Sequence, residues 1–391
     1  MREELWRRIA FTLGALFVWR LGQAIPLPGL DPRLVGAPRT SILALPLANY
    51  VAAAVLLQLL AIGWQRLRAL RDRGERGRVT LVRWTRVLTA VLAALQGVGI
   101  AGGLERVPDL VLIPGPLFTV TTAATLTAGM LFLTWLADQI TARGVGNGIA
   151  LLLIAGVLAE VPRDGAALWQ AGREGLVSEG KLFAMAFGAV AFTVVAVGVE
   201  RARRRISIRF AERRVGDRTI AGQSVDLAFK LNPGGIVPAL VGSWILLIVA
   251  IAAAQLATWG LGLHGRGDWL ASLAPGRPLH LALSAVAIIL FAFVYTAFLH
   301  DPERLARQLH SQGGAVAELV PGTPAADYLD DTLSHLTALG AVYLAAIVLL
   351  PIALAQWLGV PFAVGGVSLL ILVCLTLDVE AQVRALLARS S

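Results

Sequence analysis

The chain is laid out as long apolar blocks separated by short charged segments. It shows neither the sustained alternation of a half-buried sheet nor the narrow stripe of a soluble amphipathic helix. Ten blocks reach or approach the roughly 20 apolar residues that a helix needs to cross a bilayer: 9–26, 42–63, 87–104, 117–137, 148–161, 182–199, 234–260, 279–299, 336–357 and 362–377. Helix is the expected form, because lipid offers no water to satisfy backbone N–H and C=O groups. The fifth and tenth blocks are short, and tilt or continuation by less apolar turns completes them. One segment departs from this layout. In "RISIRFAERR", Ile206, Ile208 and Phe210 alternate with polar residues, and "VGD" follows as a turn signal. That pattern predicts a hairpin outside the membrane.

Composition agrees with the bilayer as solvent. Of 391 residues, 57% are hydrophobic and 15% charged, far more apolar than a soluble core of this length requires. The first block leads into a Pro-rich turn rather than a small-residue cleavage site, so it reads as a retained span. The single cysteine, Cys374, lies inside the last block, which excludes an internal disulfide and argues against a cysteine zinc site.

Charge predicts orientation. With the N-terminus cytoplasmic, ten spans return the C-terminus to the same side. That side then carries 25 Lys and Arg and the other side 8, with Arg20 inside the first span. This is a positive-inside distribution. The charge concentrates in 66–86, with eight arginines, and in 200–230, with nine basic residues. Topological retention and anionic lipid headgroups explain such loops. The structured second loop also suits a docking site for RNA or an acidic protein face.

Reaction chemistry is sparse. No histidine stands at helical spacing from another histidine or from the cysteine, and neither H-E-x-x-H nor G-x-S-x-G occurs. The Gly-rich "RGVGNGIALLLIAG" follows a helix rather than a strand and reads as a tight turn, with Asn147 capping the next helix. Ionisable groups inside the spans are few, Arg20 near the outer end of the first and Asp138 at the inner end of the fourth being the ones that stand out. Ion-coupled transporters and polytopic lipid enzymes need mid-membrane acids or histidines. The sequence therefore describes a wall without a relay, suited to a passive conduit or a scaffold, and no cofactor is expected.

Several stretches resemble one family, SecY, the central subunit of the bacterial protein-conducting channel. "LWRRIAFTLGALFVWRLGQAIPLPGLDP" is similar to its first span and following turn, and "SILALPLANYVAAAVLLQLL" to its second. "RGERGRVTLVRWTRVLTAVLAALQGVGIAGGL" resembles the next loop and third span, and "TLTAGMLFLTWLADQITARGVGNGIALLLIAG" the fourth and fifth. "GQSVDLAFKLNPGGIVPAL" resembles the entry to span seven. "YTAFLHDPERLARQLHSQGGAV", "PGTPAADYLDDTLSHLTALGAVYLA" and "GGVSLLILVCLTLDVEAQV" follow the family to its tail.

The resemblance implies an all-α membrane protein of ten transmembrane helices in two pseudo-symmetric five-helix halves, 1–170 and 171–391, with a hinge in the outer loop near 162–181. It implies a pore narrowed by an aliphatic ring at Leu47, Val51, Ile149, Leu153, Val237, Leu240 and Ile371. It places Gln96 and Asn232 at a side gate between spans two and three and spans seven and eight. It implies SecE-like and SecG-like subunits, SecA or the ribosome as cytoplasmic partners, and a translocating polypeptide as cargo, in the cytoplasmic (inner) membrane. The basic loop, through Arg201, Arg203, Arg204, Arg205, Arg209, Arg213 and Arg214, is the expected docking surface.

Three departures stand out. The link "LDPRLVGAPRT" between spans one and two is too short to build the family's plug helix and return, and Asn49 stands where the family commonly has proline. In the loop after span eight, Val320 replaces the usual arginine before Pro321 and Gly322. From 301 to 335 that loop holds two arginines against six acids, a balance that repels RNA. Beside a conducting channel, a specialised paralogue acting as insertase or assembly scaffold is the alternative. A continuous axial pore separates the two.

Overall fold

The computed structural model describes residues 2–31, 40–64, 67, 69–70, 74–210, 213–215, 218–220, 224–258, 277–311, 314–316, 324–360 and 365–390. Each of the ten expected blocks falls on a helix. In chain order these are α1 (Arg2–Ala24), α2 (Ala48–Gly63), α3 (Glu75–Leu104), α4 (Pro116–Arg143), α5 (Gly148–Arg173), α6 (Glu179–Arg201), α7 (Val237–Thr258) and α8 (Pro278–Leu299). After the short amphipathic α9 (Pro302–Ser311) come α10 (Ala325–Leu358) and α11 (Gly366–Ser390). Segments within α3, α4, α6, α8 and α10 are each long and apolar enough to cross a membrane.

Two boundaries differ from the sequence reading. The second block opens with irregular chain, a bridge at Ser41 followed by turns, and α2 begins only after Pro46 and Leu47. The Ile42 N–H is taken by the Ile25 carbonyl at 3.0 Å, so it is withdrawn from helix formation. The fifth block continues through Pro162 to Arg173, leaving an outer loop of about five residues in place of 162–181. Gly175, at φ 75°, ends that helix in the left-handed region. The Leu176 and Val177 N–H groups then return to the Ala171 carbonyl at 3.0 and 3.2 Å, satisfying one of its orphan acceptors.

The chain forms two compact units, Met1–Gly165 with Leu375–Ser391, and Ala166–Cys374. In the first, α3 packs on α2 and α4, and α1 on α4, around Leu126, Met130 and Ile140, all fully buried. The α4–α5 turn shows why glycine is needed there. A Cβ on Gly148 would lie 2.0 Å from the Ala137 carbonyl oxygen, and Asn147 caps α5 by accepting from the Ile149 N–H at 3.0 Å. In the second unit, α8 packs on α7 and α10, and α6 on α10.

Helix length exceeds the bilayer where polar work is needed. α10 has 34 residues, about 51 Å at 1.5 Å per residue against a hydrocarbon core of about 30 Å. Its first turns carry Leu329 and Leu333 into a cluster with Ile206 and Phe229. This cluster supports a small sheet on the expected basic side. β1 (Arg203–Phe210), β2 (Arg213–Val215), β3 (Arg218–Ile220), β4 (Ser224–Lys230) and β5 (Gly314–Val316) form a three-stranded sheet, β4-β1-β5, and a β2-β3 hairpin. In that hairpin Val215 pairs with Arg218; Gly216 and Asp217 of the expected "VGD" turn lie outside the described residues.

Candidate functional site

The seven aliphatic ring candidates sit near the starts of four helices. Leu47 and Val51 lie one turn apart, the Val51 N–H meeting the Leu47 carbonyl at 3.4 Å. Ile149 and Leu153 are spaced i, i+4 in the first turns of α5, and Val237 and Leu240 i, i+3 at the start of α7, so each pair shares a helix face. Ile371 lies in the second turn of α11. Within the first unit, Leu47 is buried in the core and Ile149 and Leu153 pack against the same cluster. In the second unit, Leu240 and Ile371 are buried and Val237 half-buried. These side chains carry no donor or acceptor. They can exclude water and ions but form no specific bond with a passing chain.

The two polar candidates each turn out to be half of a buried hydrogen bond. Asn49, 0% exposed, donates its side-chain amide to Gln96 Oε1, 9% exposed, at 2.6 Å. This joins α2 to α3. Asn232 lies in the Asn-Pro-Gly-Gly turn before α7. Its Nδ2 donates to the Glu200 carboxylate at 2.8 Å and to the Gly235 carbonyl at 3.1 Å. The sequence reading missed Glu200. Its only signal was an acid at the end of the sixth apolar block, directly before the basic run. The expected span-end group Asp138 pairs with Arg86 at 2.5 Å, joining α3 and α4 at a half-exposed site. Arg20 donates locally to Gln23.

The link after α1 is stitched down on both arms. Leu27 N–H donates to Thr40 O at 2.7 Å, Asp31 N–H to Leu110 O at 2.9 Å, and Leu112 N–H to Gly29 O at 3.0 Å. Antiparallel bridges Pro26↔Ser41 and Leu30↔Val111 complete the clasp, and Leu27 and Leu30 are buried beneath it. The residues between its arms, 32–39, lie outside the described residues.

On the sheet, Ile206 and Ile208 face inward, while Arg203, Arg205 and Arg209 are exposed along the other face. Arg201 and Arg204 are exposed as well. Arg213 and Arg214 sit on β2, and their side chains lie outside the described residues. So do Val320, Pro321 and Gly322. Sequence reading did not foresee that the segment after α9 joins the basic strand as β5, with Ile208↔Val316, Arg209↔Ala315 and Phe210↔Gly314 in register.

The family model described as SecY matches residues 41–379. Protein translocase subunit SecY of Escherichia coli K12 is 38% identical over 416 aligned residues, covering 99% of this chain and 93% of that protein. The subunit of the same name from Pseudomonas aeruginosa is 35% identical, with 98% and 91% covered. Since 416 aligned positions exceed the 391 residues here, the E. coli protein has at least 25 with no counterpart in this chain. A solved SecY structure superposes with a TM-score of 0.65 at 16% identity, covering 97% of this chain and 91% of that one. In that protein the plug domain stabilises the closed state of the translocation channel and maintains a membrane seal. Sec61 in the canine ribosome–channel complex superposes at 0.63, with 15% identity and the same coverages.

Proposed function

The chain belongs to the SecY family, and we infer that it is the central, pore-forming subunit of a Sec-type translocase, passing polypeptides across the membrane or sideways into it. The observation that carries this reading is the similarity of the whole chain, end to end, to translocase subunits. The aliphatic pairs at the starts of α2, α5 and α7 add the expected apolar chemistry. The chain itself performs no covalent step. By the family resemblance, Leu47, Val51, Ile149, Leu153, Val237, Leu240 and Ile371 form the constriction. Gln96 and Asn232 belong to the side gate in this reading.

Both termini are cytoplasmic in this reading, which follows the 25-to-8 division of positive charge. SecE-like and SecG-like subunits accompany the chain in the inner membrane. The basic face of β1 receives the cytoplasmic partner, SecA or a ribosome, and anionic lipids neutralise the remaining arginines. The acidic balance of 301–335 makes that segment the weaker contact.

The channel closes without a plug helix. Asp31 and Thr40 are both held by the clasp, and the sequence leaves eight residues between them, which as chain length alone could supply at most about 12 Å of helix. Even without the turns needed to enter and return, that falls short of the roughly 15 Å from the membrane surface to its midplane. The alignment positions missing from this chain fit such a shortening.

Protease protection tests the function. Vesicles holding the purified chain with a SecE-like subunit and an energised motor should shield a fluorescent client polypeptide, and vesicles lacking the chain should not. No shielding with any motor or ribosome would favour the scaffold alternative.

A further inference from the structure

We propose that Glu200 is a positioning residue for Asn232, holding the entry of α7 in its closed setting and tying it to the base of the basic sheet. This rests on the reading of α7 as a gate helix. Glu200 is 6% exposed and Asn232 1%, so the hydrogen bond between them lies out of water. A carboxylate in such a place depends on donors that stay with it.

The geometry makes this bond the last rung of a ladder. Arg203 pairs with Lys230 at the base of the β1–β4 pair. Next, Leu231 N–H donates to Ala202 O at 3.0 Å. Then the Asn232 amide reaches Glu200 Oε1 at 2.8 Å. The same amide nitrogen donates to Gly235 O, and Gly235 N–H returns to Asn232 O at 3.3 Å. One side chain therefore ties the carboxylate to the tight turn that starts α7, two residues before Val237 and five before Leu240.

The surroundings leave that turn little freedom. A Cβ on Gly340 of α10 would stand 3.2 Å from Asn232 Cα and from the Leu231 carbonyl oxygen, so glycine is what lets the turn lie against α10. Tyr343, one turn further along α10, places its hydroxyl in the field of the same carboxylate. Swinging the start of α7 away from α6 would withdraw the Asn232 donor and strand a buried charge. That cost biases the helix toward its closed position until a polypeptide or a partner on the sheet offsets it.

Reversing the pair tests this in the full chain, reconstituted in planar bilayers with a SecE-like subunit. Asn232→Asp sets two carboxylates against each other. It should raise the open probability of each channel about tenfold, the scale of a lost charge-assisted hydrogen bond. Adding Glu200→Gln to that variant restores an amide–carboxylate bond with the roles exchanged, though not the donation to Gly235 O, and should bring open probability at least half-way back to the parent on a logarithmic scale. A purely structural role would change how many channels are recovered while leaving the open probability of each one alone.

An unchanged open probability in Asn232→Asp, or no return in the double variant, overturns the proposal. If Asn232→Asp does not accumulate, Glu200→Gln alone decides. The weaker neutral acceptor should raise opening about threefold, and parity with the parent overturns the proposal. A Leu47→Ser/Leu240→Ser control separates the two readings. If it conducts while the Asn232 and Glu200 variants match the parent, only the positioning role fails. If it too is silent, the channel reading fails and takes this role with it.

Discussion

Arg209 on β1 lies directly opposite Ala315 on β5, which places the two segments following α6 and α9 in one sheet. An exposed arginine and a residue more than 100 positions further along the chain thus share one side of the membrane. Single cysteines at Arg205 and Ala315 should both react with an impermeant maleimide from the cytoplasmic side and from no other. Labelling from opposite faces would break the ten-span topology.

The exposed arginines of β1 should supply the salt-sensitive part of partner binding. Replacing Arg204, Arg205 and Arg209 by Glu should weaken SecA or ribosome association at low ionic strength. The difference should shrink as salt rises, because exposed charges are screened within about 10 Å at 0.1 M. Equal binding by parent and variant at low salt would leave these arginines only a topological role.

The sheet depends on Ile206, which is 0% exposed beneath the basic face and packed with Phe229, Leu329 and Leu333. Ile206→Ala should cost the cytoplasmic sheet about 2–5 kcal/mol through lost burial and a cavity. Limited proteolysis should then cut within 203–230 sooner, while the membrane helices stay protected. An unaltered cleavage rate would mean the sheet does not rest on this contact.

Asn49 and Gln96 should behave as one unit. Asn49→Ala or Gln96→Ala leaves a buried polar group short of a partner, at about 1–3 kcal/mol. Each should lower the thermal unfolding midpoint in detergent. The double variant should fall little below the worse single one, since both remove the same bond. Fully additive losses would show that the 2.6 Å contact contributes nothing of its own.

The ten spans were legible because a bilayer writes its thickness into apolar run length. The turn at 144–148 was legible because glycine and Asn147 announce it locally. The β1 strand showed itself through alternation at Ile206, Ile208 and Phe210. What sequence could not supply was pairing at a distance. Nothing in Gly314–Val316 marks a strand, since the strand it pairs with is β1, more than 100 residues earlier in the chain. Glu200 looked like one more charge in a basic loop until Asn232 was found donating to it. Asn49 was noticed only as a departure from proline; its purpose became clear with Gln96 at its amide. The late start of α2 was hidden because "SILALPL" is as apolar as a span; the Ile42 N–H held by the Ile25 carbonyl reveals it.

The central claim is that an apolar ring, unaided by a plug, seals a conduit through this chain. Single-channel conductance in a planar bilayer, with a SecE-like subunit present, tests it most directly. Replacing Leu47 and Leu240 by Ser supplies hydroxyls that hydrogen-bond water where aliphatic groups cannot. The parent should stay nearly silent under voltage, and Leu47→Ser/Leu240→Ser should pass a sustained ion current. Equal silence in both would contradict the account, for those residues would then line no pore.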